Sequence, residues 1–90
     1  MLIRLIYASL EARDIGSQDI DQILAASRRN NLVDGVTGML CHGSGRFLQC
    51  LEGEAEHVDR IYERISKDAR HKDVVVIDRG DLDRRVFGDW

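Results

Sequence analysis

Gln49 stands in RFLQCLEG (46–53), a stretch that alternates as a strand does. Phe47, Gln49 and Leu51 share one face, and Arg46, Leu48, Cys50 and Glu52 share the other. A primary amide between two core hydrophobes costs about 1–3 kcal/mol if nothing meets it there. In LIRLIYAS (2–9), Ile3, Leu5, Tyr7 and Ser9 form one face, so a phenol also points inward. Two more polar residues fall on apolar stripes. Asn31 lies eleven residues after Ile20, about 1,100° around a helix and so within about 20° of it. Asp68 lies seven residues after Ile61, again within about 20° of the stripe, and Arg64 precedes it by one turn, close enough to pair. Amides, a guanidinium, a carboxylate and a phenol together offer the donors and acceptors that a planar heterocycle with imide-like edges requires.

Each of these residues also has a plainer role. Asn31 can end a helix in the left-handed conformation. Arg64 and Asp68 can form a solvated surface pair. Tyr7 can bury its ring and leave its hydroxyl at the edge. Gln49 is the hardest to explain away, since only a one-residue bulge would turn it outward.

These side chains must be positioned by a small set of elements. A strand (2–9) is followed by the loop EARDIGS and then by a helix. Ser17 can cap that helix, Asp19 and Asp21 suit its first turn, and Ile20, Ile23 and Leu24 supply its stripe to about Asn31. The strand VTGMLCH, the turn GSG and the strand RFLQCLEG, closed by Gly53, come next. EAEHVDRIYERISKDA is a second amphipathic helix with the stripe Val58, Ile61, Ile65, and DVVVID (73–78) is a further strand. The tail RGDLDRRVFGDW starts a short fifth strand near its end. This order predicts an α+β, ferredoxin-like βαββαβ fold, with two helices on one face of a mixed sheet and the first and third strands side by side at its centre. Leu2, Ile6, Leu40, Leu48 and two of Val74 to Ile77 then point away from the helices. That face is too apolar for water, which suggests a homo-oligomer partner or a further segment over it.

Composition narrows the classes. Ninety residues, 43% hydrophobic and 32% charged, suit one soluble domain, and the net charge of −3 gives no basic footprint for nucleic acid. MLIRLIYASL is broken by Arg4 and is neither signal peptide nor membrane span, so a cytoplasmic location is expected. Cys41, His42, Cys50, His57 and His71 lack metal-ligand spacing, so no metal is expected. A hairpin centred on Ser44 would set Cys41 opposite Phe47 and Cys50 opposite Gly38, with the thiols on opposite faces and unable to bridge.

Over essentially its whole length the sequence resembles the BLUF domains, blue-light sensors that hold FAD. The resemblance lies in YAS (7–9), NNLVDGVTGMLCHGSGRFLQCLEG (30–53), RISKDARH (64–71) and RRVFGDW (84–90). It implies a non-enzymatic photosensor domain over residues 1–90 that binds FAD non-covalently, with FMN or riboflavin as substitutes. It also implies that Tyr7 is the photo-oxidised donor and that Gln49 is the switch bridging the phenol and the flavin. Asn31 would fix the C4=O and N3 edge. Arg64 and Asp68 would flank the pyrimidine side, with Asn30 and His71 nearby, and Ile23 and Leu24 would wall the ring. Trp90 matches a tryptophan on the family's output strand. Family members usually carry a methionine two residues further on and then C-terminal helices over the open sheet face, so a C-terminally truncated unit signalling to an effector protein is expected. A ferredoxin-like ligand-binding or dimerisation module without photochemistry is the alternative. An acylphosphatase-like enzyme is disfavoured, because SLEARDIGS holds Arg13 but no glycine-rich phosphate cradle. An RNA-binding sheet lacks the exposed aromatics it would need.

Overall fold

Ile3, Leu5, Tyr7 and Ser9 are each at most 3% exposed, while the residues between them are half-buried, so strand β1 (Leu2–Glu11) has one face in the core. The structure is a computed structural model that describes residues 1–12, 18, 21–23, 25, 29 and 35–84. Residues 18, 21–23, 25 and 29 are helical, as the stripe after Ser17 predicts. Strands β2 (Thr37–Gly43) and β3 (Arg46–Glu54), a helix (Ala55–Ser66) and β4 (His71–Asp81) follow. Val58 and Ile61 of that helix pack against Ile3, Leu5, Tyr7 and Leu51, with Ile65 and Val74 at the margin.

The strand order is β2-β3-β1-β4, so β1 and β3 are the central neighbours, as expected. Every described pairing is antiparallel, which corrects the mixed sheet. Each helical crossover returns the chain in its former direction but one strand away, so strands that run alike are never adjacent. β3 runs through Gly53 to Glu54, and β4 is longer than 73–78 at both ends. The expected fifth strand falls on residues 85–90, outside the described residues.

The β2–β3 turn has a larger consequence. Gly43 pairs with Arg46, so the loop is the two residues Ser44 and Gly45, with φ of 53° and 73°. Two successive positive φ values mark the type I′ turn, whose twist matches a hairpin. The register is therefore one residue away from the one predicted, and a one-residue shift reverses the facing of a strand. Leu40 stands opposite Gln49, on the helix side, and Met39 takes the outer face at 47% exposed. Cys41 pairs with Leu48 and Met39 with Cys50, so the two thiols share the outer face, and both cysteines are free. Met39, Leu48 and Val75, at 47%, 45% and 58% exposed, make the outer face apolar, as the pattern predicts.

Gly38 marks where the sheet is tightest. A Cβ there would lie 1.8 Å from the Cys50 carbonyl oxygen, a backbone atom that no rotamer can move. Gly38→Ala should therefore lower stability by about 3 kcal/mol or more, read as an earlier urea midpoint at unchanged slope. A wild-type midpoint would show that β2 is not held as described.

Candidate functional site

Strand alternation places Tyr7 and Gln49 on the same buried face, and the β1–β3 register sets them directly opposite each other. Both are 1% exposed. The Tyr7 hydroxyl donates to Gln49 Oε1 at 2.6 Å. Gln49 Nε2 is equally buried and has no hydrogen-bond partner among the described residues. The amide is thus half satisfied, with its acceptor end on the phenol and its donor end open. A buried donor left bare carries its full desolvation cost, so the site is built for an acceptor that the described residues do not provide.

Burial pushes the Tyr7 phenol well above its ordinary value, and the negative charge of Asp68 and the neighbouring Tyr62 push the same way. Tyr7 is therefore a neutral donor throughout the physiological range. Its ring meets Tyr62 edge-on at 5.8 Å and His71 at 6.3 Å. The first of two register shifts between β1 and β4 falls between Ile6 and Tyr7, and the second between Ala8 and Leu10. Asp73, close to the second, has a φ of 51°. Bulges of this kind re-aim side chains, and here they flank the phenol.

His71, 8% exposed, opens β4 and lies over Phe47 at 4.6 Å between ring centres. Its Nδ1 is 2.8 Å from Ser9 Oγ. Ile23 is buried as well, at 6% exposed.

The expected Arg64–Asp68 pair is absent. The helix ends at Ser66, so Asp68 lies beyond it and one-turn spacing no longer applies. Asp68 instead accepts from the Arg70 backbone N–H at 2.9 Å and from its guanidinium at 2.6 Å. The Arg70 hydrogen bond is the main reason that the Asp68 carboxyl is held below its usual range, with partial burial opposing it. Arg64 is exposed. Asn30, Asn31, Leu24 and Trp90 lie outside the described residues.

The sequence reading passed over Ser9 and Arg70. Ser9 carried the same signal as Gln49, a polar residue on an apolar stripe two places from Tyr7. Arg70 gave none, because its pairing arises from a turn rather than from a periodic element.

A cavity of about 540 Å³ lies near the hairpin end of the sheet, lined by Ala8, Leu10, Cys41, Leu48 and Val75 among others. Those five point to the outer face, and neither Tyr7 nor Gln49 lines the cavity, so it is not the site of the buried pair. Among the described residues no group of three His, Cys, Asp or Glu side chains could hold a metal, and no helix is long and apolar enough to cross a membrane.

Comparison with known proteins agrees with this geometry. The BLUF family, sensors of blue light using FAD, matches residues 2–90. The chain is 36% identical over 90 residues to the photoactivated adenylate cyclase subunit beta of Euglena gracilis, covering 99% of this chain and 10% of that protein. A bacterial light-regulated adenylyl cyclase superposes with a TM-score of 0.96 at 36% identity, covering 100% of this chain and 26% of the other. The dark-state structure of BlrB, a BLUF protein, gives a TM-score of 0.94 at 36% identity, covering 99% of this chain and 67% of the other. The chain spans about a tenth of the length of the Euglena relative. A match across all but the first residue, joined to a buried tyrosine–glutamine pair with one open donor, assigns the chain to the BLUF family of flavin-based blue-light sensors.

Proposed function

We propose that Tyr7 and Gln49 are the photochemical pair of this domain and that the flavin is FAD, with FMN or riboflavin able to replace it. The observation that carries this reading is the open donor at Gln49 Nε2 beside the closed bond from Tyr7 to Oε1. A bound flavin supplies visible absorption and, once excited, an electron-accepting ring. The protein supplies the rest. Tyr7 gives up an electron, and only then does its phenol become acidic enough to release the proton that burial otherwise keeps in place. That proton leaves along the short hydrogen bond to Gln49. When electron and proton return to Tyr7, the amide has exchanged its two ends or changed tautomer, so its NH group and its oxygen have new partners. The redox balance is nil, and the lasting product is a changed hydrogen-bond pattern, which makes the domain a sensor rather than an enzyme.

Asn31, Arg64 and Asp68 are the proposed contacts to the polar edge of the flavin, with Asn30 and His71 beside them. Ile23 and Leu24 are its proposed apolar walls, and Trp90 is the proposed output residue. The signal passes to an effector protein, either a further domain or a separate partner. Met39, Leu48 and Val75 suit a homo-oligomer contact on the outer sheet face. The test is a visible spectrum of the purified protein before and after blue illumination. Yellow protein with a reversible red shift is the expected result. Bound flavin whose spectrum does not change under light would remove the photochemical role.

A further inference from the structure

Ser9 follows Tyr7 by two residues on the buried face of β1 and is paired across the sheet with Phe47. It is 3% exposed, and its Oγ meets His71 Nδ1 at 2.8 Å across 62 residues of sequence. A hydroxyl and an imidazole can share a hydrogen in two ways. If Nδ1–H donated, the serine proton would need another acceptor, and among the described residues Ser9 Oγ has no second hydrogen-bond partner. If the serine donates, an oxygen lone pair is left bare, which costs less than a bare donor, and the ring N–H moves to Nε2, which among the described residues is not a buried atom without a partner. The hydroxyl is therefore the donor, and the ring proton sits on Nε2.

The groups around His71 leave its neutral form favoured. Burial keeps the Tyr7 phenol on β1 protonated and so uncharged beside His71, and Tyr62 lies on the helix behind it. Glu11, its cross-strand partner on β1, is engaged with His42, and His42 and His71 each lie against the Phe47 ring. Asp68 and Arg70, on the segment entering β4, are paired with each other. Burial lowers the proton affinity of His71; Asp68 raises it and Arg70 lowers it again. Protonation would place a cation about one ring's width from the phenol (6.3 Å between centroids) and oppose the loss of an electron there.

We propose that Ser9 is a positioning residue for the photochemical pair: by donating to His71 Nδ1 it holds that imidazole as the neutral Nε2–H tautomer, edge-on to Tyr7, and keeps positive charge away from the phenol. This rests on the reading of Tyr7 as the electron donor. Nitrogen-15 NMR of the histidine rings in the flavin-bound dark protein tests it across pH, with His71→Asn assigning the signal. At neutral pH the wild-type His71 should show a pyridine-type Nδ1 and a protonated Nε2. Ser9→Ala should raise its proton affinity roughly three- to tenfold, the worth of one hydrogen bond to the neutral form. The acid limb of the red-shift yield should move to higher pH by the same factor, and Ser9→Thr, which keeps the hydroxyl, should restore both. A wild-type ring protonated on Nδ1, or an unmoved titration in Ser9→Ala, overturns the proposal. The wild-type tautomer decides the matter even if the alanine variant does not fold. A wild type with the expected tautomer but no red shift at any pH instead overturns the Tyr7 reading and the functional half of the proposal with it.

Discussion

Gln49→Leu is expected to keep its yellow colour and to show no red shift under blue light. Leucine has nearly the volume of glutamine and continues the apolar run between Phe47 and Leu51, so the core and the flavin pocket survive. What disappears is the only side chain among the described residues that touches the Tyr7 hydroxyl while offering a second, open donor. Without it the proton has no path and the hydrogen-bond pattern has nothing to rearrange. The flavin-free protein should hardly change in stability, by less than about 1 kcal/mol in urea. Loss of the bare Nε2 is favourable and loss of the acceptor for Tyr7 is unfavourable, and each is about 1–3 kcal/mol. An intact red shift in this variant would show that the amide is structural and that the photoresponse runs elsewhere.

Tyr7→Phe should also abolish the red shift and leave the colour, but its effect on stability differs. The ring still packs against Tyr62 and His71, 5.8 and 6.3 Å away, and only the hydroxyl is lost. Gln49 is then buried with neither end met, which should cost the flavin-free protein about 1–3 kcal/mol. The double variant Tyr7→Phe/Gln49→Leu should be more stable than Tyr7→Phe alone, because it removes the stranded amide. This positive coupling is expected only of residues in direct contact. Additive losses in urea would mean that the 2.6 Å bond does not exist in solution.

Much of this site was legible in the residues. A side chain on a strand faces the core or solvent according to whether its position is odd or even, so the inward facing of Tyr7 and Gln49 needed no tertiary information. Nor did their nearness, since the βαββαβ order makes β1 and β3 neighbours. Helical spacing likewise marked the Val58 and Ile61 stripe, which is buried. The Arg64–Asp68 pair failed for a different reason. It assumed that the helix continued to residue 68, and a helix terminus is decided by local competition between backbone and side-chain hydrogen bonds, here won by Asp68 accepting from Arg70.

The amino-acid order alone determined the order of elements and the buried polar residues, because both depend on a periodicity of 2 or 3.6 that adjacent residues set between themselves, and its motifs carried the resemblance to flavin photosensors. Only the folded chain decided the facing of β2, the partner of Asp68 and the Ser9–His71 bond. One extra or missing residue in a turn inverts a whole strand, and a contact between residues 9 and 71 exists only once β1 and β4 have chosen their register.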